Sequence, residues 1–436
     1  MKFQQAIIVT MLTAVVVFSF TPKDLLAQQT RTDNQITYYQ QLLKRSPQNA
    51  KVYFGLGDAL IRKARESGDA SYFNRAEDAL KKSLEIAPQN GGAMRHLAFV
   101  FYSRHEFEAA AAQARKAVEL NPSDGDAYGV LGDALLEVGR YDEAEAVYKQ
   151  MMACEQGLYA YSRFAGLKSF RGDLAGAMND LRMAIAAGKL TNQPAESIAW
   201  VEWQLGSDRF NAGDLTGAET EYRRALQTFP NYYRALAGLG QVRAAQKRYD
   251  EAVEFYRNAI GIVPMPEYIA ALGDVHAKTG NSADARKQYE LVEYIGKLSA
   301  LNQAMYNREL AYFYADHDRK PVEGLALAER ELDYRRDIYA YDVWAWNLYR
   351  NGKFLDARTA IEKALQLGTK DAKLFYHAGL IHFRLGEMPK AKDLLSRALA
   401  TNPHFHIFFA EHAAKTLKEI ENSDRRLATN PHSEGR

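Results

Sequence analysis

Residues 236–264, with the sequence LAGLGQVRAAQKRYDEAVEFYRNAIGIVP, contain the pattern that decides the fold. Pro264 ends the pattern, because proline cannot donate the backbone hydrogen bond that would extend a helix. Two sets of residues recur before it at helical spacing, namely Leu239, Gly240 and Val242, followed by Tyr249, Ala252, Tyr256, Ala259 and Ile260. The stretch therefore predicts two amphipathic helices joined by a short turn.

Small residues determine how closely these two helices can approach. Gly240 and Ala252 are twelve residues apart. We expect them at the closest point of the hairpin, because larger side chains there would push the helix axes beyond normal packing distance. Ala259 is predicted to make a third small contact. One hairpin cannot bury its apolar faces alone, so it needs similar neighbours.

The same pattern recurs about every 34 residues along most of the chain. The recurrence predicts about ten stacked hairpins between residues 34 and 403, opened by a lone helix at residues 34–47. The small residues of the successive first helices are Gly57, Ala98, Gly132, Ala165, Gly206, Gly240, Gly273, Ala311, Ala345 and Gly379. Their partners in the second helices are Ala76, Ala110, Ala144, Ala177, Ala218, Ala252, Ala285, Gly324, Ala357 and Ala391.

The spacing is irregular at three places. Extra residues between the first two small positions predict a longer loop around residues 66–70. Residues 188–196 predict a second long connection, and the pattern weakens between residues 299 and 337. We expect the stack of hairpins to be less regular there.

These spacings resemble the tetratricopeptide repeat, in register over residues 34–403. The resemblance implies an all-α fold, a right-handed superhelical α-solenoid of about ten helix-turn-helix repeats. In that family the first helix of each repeat lines a concave groove, which commonly receives a peptide or an extended protein segment. After the repeats, residues 404–420 are predicted to form a capping helix and residues 421–436 a disordered tail.

Residues 1–27 have the composition of an export signal. Lys2 is followed by a largely apolar run from Ala6 to Phe20 and a short stretch that reaches Ala27. The apolar run is short for a membrane-spanning helix, which needs about 20 residues. We therefore expect cleavage after Ala27 and an exported protein, periplasmic or secreted. An uncleaved N-terminal membrane anchor is the alternative.

The composition is that of a folded chain, with 47% hydrophobic and 25% charged residues. The formal net charge of +2 does not favour a charge-driven hold on nucleic acid. Cys154 is the single cysteine, so no intramolecular disulfide can form. The expected partner is a protein or peptide. We predict no nucleic acid, no cofactor, and membrane contact only through the N-terminal segment if it is uncleaved.

The resemblance also implies which side chains face the groove. They lie three residues before and one residue after the small residue of each first helix, with others a turn further along. Aromatic and arginine side chains dominate binding energy at interfaces, so this pattern predicts a partner-binding groove. Packing against neighbouring helices is the alternative for any one of them. The candidates are Trp200, Trp203, Phe210, Arg308, Tyr312, Asp342, Trp346, Tyr349, Arg350, Tyr376, Phe383 and Arg384.

Signals for catalysis and metal binding are weak. Gly238 and Gly240 lie inside a predicted helix with no preceding strand, so they are packing residues and not a phosphate-binding loop. His404 and His406 alternate in a way that does not suit one helical face, and we predict no metal site there. The family's clamp of lysine, asparagine and arginine around a carboxylate is also absent, since Phe54 takes the place of the lysine.

Two function classes therefore remain. The first is a non-catalytic exported scaffold that binds a protein or peptide segment in the concave groove, for protein–protein interaction or complex assembly. The second is a cell-envelope carbohydrate-binding module or glycan-acting enzyme, in which the aromatic groove stacks on sugar rings and Asp342 takes part. Self-association through the ends of the repeat stack is a third, lesser reading.

Overall fold

The computed structural model describes residues 31–301 and 307–429, with side chains for residues 31–298 and 307–423. Within these residues every regular element is an α-helix, which confirms the all-α prediction. The predicted export signal, residues 1–27, lies outside the described residues, as do residues 430–436 of the predicted tail.

The described part of the chain contains 22 helices. In chain order they are α1 (Arg31–Arg45), α2 (Ala50–Ser67), α3 (Ser71–Ile86), α4 (Gly91–Ser103), α5 (Phe107–Leu120), α6 (Gly125–Glu137), α7 (Tyr141–Cys154), α8 (Leu158–Phe170), α9 (Leu174–Leu190), α10 (Ala195–Asn211), α11 (Leu215–Thr228), α12 (Tyr233–Ala245), α13 (Tyr249–Ile262), α14 (Pro266–Lys278), α15 (Ser282–Leu301), α16 (Asn307–Asp316), α17 (Pro321–Tyr334), α18 (Ile338–Arg350), α19 (Phe354–Ala364), α20 (Ala372–Arg384), α21 (Met388–Thr401) and α22 (Phe409–Thr429).

Helices α2 to α21 form ten consecutive hairpins, which confirms the predicted number of repeats. We number them unit 1 (α2 and α3) to unit 10 (α20 and α21). The connection within a unit is called its hairpin loop, and the connection between two units is called a linker. Helix α1 packs on α2 before the first unit, and α22 follows the last unit.

The small residues lie at the hairpin contacts, and a tyrosine ring explains why they must be small. A Cβ atom built on Gly240 would lie 3.1 Å from the ring of Tyr256, and one on Gly206 would lie 2.6 Å from the ring of Tyr222. Ala252 is fully buried in the same hydrophobic cluster as Tyr256. Because the tyrosine of the second helix lies directly over the first helix, glycine there permits the close approach.

Helix ends differ from the predicted boundaries at three places. Helix α2 runs to Ser67 and α3 begins at Ser71, so the extra residues near 66–70 lengthen helices and leave a short loop. In the same way only residues 191–194 separate α9 from α10. Residues 404–408 form turns, and α22 begins later than the predicted capping helix and extends into the predicted tail. A longer helix satisfies more backbone hydrogen bonds internally than a loop does.

The first helices line the inner surface of the solenoid. First helices of neighbouring units contact each other, for example α4 with α6 and α12 with α14, whereas contacts between neighbouring second helices are at most slight. A stack whose first helices lie closer together than its second helices must curve with the first helices inside. The candidate groove residues are therefore on the inner helices.

Successive turns of the superhelix touch one another. The backbone N–H of Arg336 donates to the Glu137 carbonyl at 2.8 Å. The side-chain amide of Asn402 donates to the Phe210 carbonyl at 2.7 Å, and the Thr369 hydroxyl donates to the Phe170 carbonyl. The last two pairs are 192 and 199 residues apart, so one superhelical turn takes about six units. Hairpin loops of early units thus rest on linkers about six units later.

Candidate partner-binding surface

The twelve candidate side chains fall into two groups on the inner helices. One group lies on α10 in unit 5, and the other lies on α16, α18 and α20 in units 8 to 10. The two groups differ in how much of each side chain a partner could reach.

The α10 group contains two accessible tryptophans. Trp200 and Trp203 are half-buried, and their ring centroids are 6.5 Å apart. The guanidinium of Arg234 on α12 lies 5.2 Å from the centroid of the Trp203 ring, a cation–π contact. Phe210 is buried, and its carbonyl accepts the bond from Asn402. A partner can therefore contact the tryptophans but not Phe210.

Arg308 belongs to the joint between two superhelical turns. Its guanidinium lies 3.3 Å from Asp337, 3.4 Å from Glu331 and 3.7 Å from Glu137, the last of which is in unit 3. Burial alone would lower the pKa of Arg308, but these three carboxylates raise it above its usual value. Arg335 also pairs with Glu137, at 2.6 Å. Arg308 therefore helps to hold the solenoid closed.

A buried polar centre surrounds Asp342. The Tyr312 hydroxyl donates to the Asp342 carboxylate at 2.7 Å, and His377 Nδ1 lies 2.9 Å from the same group. The Trp346 ring stacks on the His377 ring with centroids 4.2 Å apart and planes 14° from parallel. His377 and Trp346 are almost completely buried. The centre is sealed by stacked rings and is not open to solvent.

Trp346 and Arg350 are anchored inside the same region. Trp346 Nε1 donates to Asp316 at 2.9 Å, and Lys373 donates to that carboxylate at 2.8 Å. Arg350 Nε donates to the Ala315 carbonyl at 2.5 Å, and its guanidinium lies 5.0 Å from the Trp346 ring. The half-buried Tyr349 ring stacks on Trp346 at 4.8 Å. These contacts fix the packing of α16 against α18.

The candidates on α20 range from buried to exposed. The Tyr376 ring stacks on the ring of Phe409, the first residue of α22, with centroids 5.0 Å apart. The Tyr376 hydroxyl lies 2.8 Å from His412 Nδ1. Phe383 is half-buried. Arg384 is exposed and lies 5.1 Å from the Phe354 ring. Tyr376 thus joins α22 to unit 10, while Arg384 remains on the surface.

Four candidates require a correction, because Phe210, Asp342, Trp346 and Tyr376 are buried and do not line an open groove. Tyr312 and His377 of the adjacent units enclose Asp342, and Trp346 and Tyr376 pack against each other and against Phe409 of α22. Of the four, Phe210 lies at a contact with a later superhelical turn, through Asn402. The role of the other candidates in partner binding stays a prediction.

Sequence reasoning missed two charged residues on the accessible part of the inner surface. Arg234 and Glu267 occupy the same offset before Gly240 and Gly273 as Trp200 does before Gly206, so the offset applied to every unit would have found them. Within the described residues, neither has an oppositely charged side chain at ion-pair distance. Glu267 reaches solvent on a concave surface, and burial together with the charge of Glu309 raises its pKa to about 7.

Residues 404–408, which we call the cap segment, lie against the inner surface of units 6 and 7. Ile407 packs against the hydrophobic cluster of α12, α13 and α14. A cavity of about 420 Å³ remains beside the segment, in the size range of ligand pockets. Its walls include Ala244 and Ala245 of α12, Asp274 of α14 and Phe405 of the cap segment.

Asp274 is held as a carboxylate at this cavity. It accepts a bond from the Tyr289 hydroxyl at 2.8 Å, and His317 Nε2 lies 2.7 Å away. Burial would raise the pKa of Asp274, but His317 and His406 lower it well below its usual value. Burial would lower the pKa of His317, but its bond to the Asp274 carboxylate raises that pKa above its usual value. The cavity wall therefore includes one fixed carboxylate in addition to its alanines.

The described residues contain neither a metal-binding group nor a membrane-spanning helix. No three His, Cys, Asp or Glu side chains of the described residues are grouped closely enough to hold a metal ion. His406 instead stacks on Phe409, with ring centroids 4.0 Å apart. No helix in that part of the chain combines the length and the apolar character needed to cross a bilayer.

Comparison with known proteins identifies several relatives. TPR repeat-containing protein MJ1428 of Methanocaldococcus jannaschii is 22% identical over 398 residues, which cover 85% of this chain and 67% of that protein. Cellulose synthase 1 operon protein C of Komagataeibacter xylinus is 27% identical over 229 residues, which cover 50% of this chain. The match covers 16% of that longer protein, so this chain corresponds to a small part of it.

Solved structures are similar only at a low level. PilW, a widely conserved type IV pilus biogenesis factor, has a TM-score of 0.41 at 15% identity over 47% of this chain and 92% of its own. Yeast Tom70 has a TM-score of 0.36 at 12% identity over 93% and 96%. Neither similarity bears on partner or activity. The family model for the tetratricopeptide repeat, in contrast, matches residues 24–88, 97–154, 204–264 and 343–404, more than half of the chain, which therefore belongs to the tetratricopeptide repeat family.

Proposed function

We propose that this chain is a non-catalytic, exported scaffold that binds an extended segment of another protein on the inner surface of units 5 to 7. The observation that carries this proposal is the position of the cap segment. Residues 404–408 are not helical, and Ile407 lies against α12 and α14 as a bound peptide would. The inner surface of units 6 and 7 thus already accommodates one non-helical segment with an apolar side chain.

Accessible side chains on the inner helices of units 5 to 7 offer the contacts that a peptide needs. Trp200 and Trp203 provide aromatic surface, Arg234 provides a positive charge, and Glu267 provides a carboxyl group without an ion-pair partner among the described residues. Aromatic and arginine side chains are the residues that most often dominate interface energies. The cavity of about 420 Å³ adds room for an apolar side chain. We infer that the ligand is an extended segment with both apolar and charged residues.

Export is proposed from residues 1–27 alone, whose single early cation and apolar run are typical of a signal peptide. The absence of catalysis is proposed because the best polar centre, Asp342 with His377, is enclosed by the rings of Trp346 and Tyr312. A substrate could not reach that carboxylate without opening the core.

A carbohydrate-binding module remains the second candidate function, and the neighbouring rings of Trp200 and Trp203 favour it. Two half-exposed indole rings can stack on sugar rings as well as on peptide side chains. Retention of the protein on a polysaccharide gel, lost in a Trp203→Ala variant, would favour this alternative over peptide binding.

A peptide-display selection on immobilised protein from residue 28 onward tests the scaffold proposal. Selected peptides should bind the native sequence and should bind the double variant Trp203→Ala, Arg234→Ala at least about tenfold more weakly, since each removed contact is worth roughly 1 kcal/mol or more. Trp346→Ala is unsuitable for this purpose, because removing a buried tryptophan leaves a large void.

Tyr38→Ala combined with Arg75→Ala is the matched control, because it removes an exposed aromatic and an exposed arginine from α1 and α3, outside the proposed site. It should leave peptide binding unchanged. Failure to select any peptide, or equal binding by the Trp203 and Arg234 variant, would contradict the proposed site.

A further inference from the structure

Between superhelical turns, hairpin loops dock on linkers. Loops and linkers of the same kind are left undocked at the two ends of the molecule. We call the hairpin loops of units 8 to 10, residues 317–320, 351–353 and 385–387, the loop face. We call the linkers before units 1 to 3, residues 46–49, 87–90 and 121–124, the linker face. The loop face belongs to the last superhelical turn and the linker face to the first, so no further turn of the same chain follows or precedes them among the described residues.

Inside the molecule, hairpin loops dock closely on linkers. A Cβ atom built on Gly139 in the unit 3 loop would lie 2.6 Å from the Arg336 carbonyl oxygen. Gly172 in the unit 4 loop makes an even closer approach to Gly368. The linker residues Asp337, Thr369 and Asn402 are buried by this docking or by its neighbours. Loops and linkers are therefore complementary surfaces.

The loop face is uncovered. A Cβ atom built on Gly352 or Gly386 would meet nothing within 4 Å. The unit 10 loop nevertheless has the geometry of the docked unit 5 loop. The N–H of Gly386 donates to the Phe383 carbonyl at 3.1 Å, as the N–H of Gly213 donates to the Phe210 carbonyl at 2.8 Å. Phe383 is thus the free counterpart of Phe210, whose carbonyl also accepts a bond from Asn402.

The linker face carries the matching donor. Asn121 precedes Pro122 as Asn402 precedes Pro403. Both asparagines accept a bond at Oδ1 from the backbone N–H two residues later, at 3.2 Å for Asn121 and 2.8 Å for Asn402. That bond leaves the side-chain N–H groups free to donate. Those of Asn402 bind Phe210, whereas Asn121 is exposed and donates to no partner within the described residues.

An open apolar cleft lies on the same face. It is formed by the linkers before units 1 and 2, and its walls include Pro47, Phe54, Ile86 and Pro88. The linker face therefore offers both a free donor and free apolar surface.

We propose that the loop face of one molecule docks on the linker face of a second copy of this chain, repeating between molecules the joint that closes the superhelix within one. In this arrangement the loops of units 8, 9 and 10 meet the linkers before units 1, 2 and 3, and Asn121 donates to the Phe383 carbonyl. The two faces differ, so the contact is head-to-tail and adds copies in an open series.

Sedimentation velocity on protein from residue 28 onward, from about 1 to about 200 µM, tests this assembly over the range of weak to moderate affinities. The native sequence should associate as its concentration rises. Asn121→Asp keeps the Oδ1 acceptor but loses the donor, and it should raise the dissociation constant at least about tenfold. Asn74→Asp makes the same change on an exposed helix surface and should have no effect.

A second variant blocks the other face. Gly352→Asn with Gly386→Asn fills the space in front of the loops, and asparagine tolerates the positive φ of 74° and 76° better than most residues. This variant should also fail to associate alone. A mixture of the two variants should form a one-to-one pair, because each keeps the face that the other lacks. A monomer at all concentrations, association unaffected by either variant, or no pairing in the mixture would overturn the proposal.

Discussion

The hairpin loops of units 3 to 5 and those of units 9 and 10 have the same local structure in different surroundings. Gly213 and Gly386 donate equivalent backbone bonds within their loops. Only the first loop is covered, since Asn402 reaches the Phe210 carbonyl from a later superhelical turn. The repeat pattern therefore specifies the loop, whereas the position of the unit along the superhelix specifies what covers it.

This difference places a cluster of ion pairs at the joint between the superhelical turns. Glu137 in unit 3 pairs with Arg335 at 2.6 Å, and Arg308 lies 3.7 Å away. Burial raises the pKa of Glu137 even against Arg335. Near the uncovered end, charged residues such as Arg384 remain in water. The same type of substitution should therefore have unequal effects at the two ends.

The largest expected difference is between Asn402→Asp and Asn121→Asp. At Asn402 the change removes the bond to Phe210 and buries a carboxylate beside a carbonyl oxygen, which should cost about 4 kcal/mol of unfolding free energy. At Asn121 the same change is exposed and should leave stability within about 0.5 kcal/mol. Urea unfolding followed by circular dichroism measures both. Equal losses would mean that the inter-turn joint contributes nothing to stability.

Removing the buried carboxylate of the joint should have the next largest effect. Glu137→Ala leaves Arg335 and Arg308 buried with fewer partners and should cost about 3 kcal/mol. Glu143→Ala removes an exposed carboxylate that pairs with Arg140 in the same unit, and it should cause no measurable change. Denaturant midpoints of the two variants provide the comparison. A loss at Glu143 as large as that at Glu137 would contradict it.

A covered loop should also respond to pH. His105 in the unit 2 loop stacks on Phe107 and Tyr334, and burial, then Arg335 and Arg308, lower its pKa to about 3. The unfolded chain binds a proton below about pH 6.5 that the folded chain excludes down to about pH 3, so stability is lost as pH falls through this window.

For His105 the loss between pH 7.5 and pH 5 should be about 2 kcal/mol at most. His105→Asn, which suits the positive φ of 62° at this position, should remove that part of the pH dependence. Urea unfolding at both pH values measures it. An unchanged pH slope in the variant would place the titrating group elsewhere.

The smallest contrast is between two glycines with similar backbone conformation. Gly139 has φ of 77° and Gly352 has φ of 74°. Alanine at Gly352 should cost about 1 kcal/mol through backbone strain alone. Alanine at Gly139 should cost about 1.5 kcal/mol more, because its Cβ would lie 2.6 Å from the Arg336 carbonyl oxygen. Thermal or urea unfolding of the pair measures the difference, and equal costs would show that the linker moves aside freely.

Local spacing predicted the hairpins because their contacts are local. Gly240 lies against Tyr256 of the second helix, as the predicted close approach requires, and Ala311 and Gly324 are both buried in the weakened unit 8. The offset within each first helix also placed Trp200 and Trp203 on an accessible inner surface. Every one of these contacts lies within a single unit or between adjacent units.

The same offset placed Asp342 and Trp346 in an open groove, and this expectation failed. An inner side chain follows the same pattern whether it faces an open groove or is enclosed by the inner helices of adjacent units, as Asp342 and Trp346 are. The Asn402 contact with Phe210 spans 192 residues, so no helical period reports it. The cap segment was likewise expected to be helical, and its packing against units 6 and 7 depends on where the solenoid ends.

The sequence by itself determined the unit: two helices, a small residue at their contact, and the number of times that unit recurs. Only the tertiary structure decided that the superhelix closes after about six units, which positions it buries and which loops it leaves uncovered. The physical reason is that each unit adds a small rotation and rise to the next. Their sum over six units decides whether turns touch, and that sum is not contained in the pattern of any one repeat.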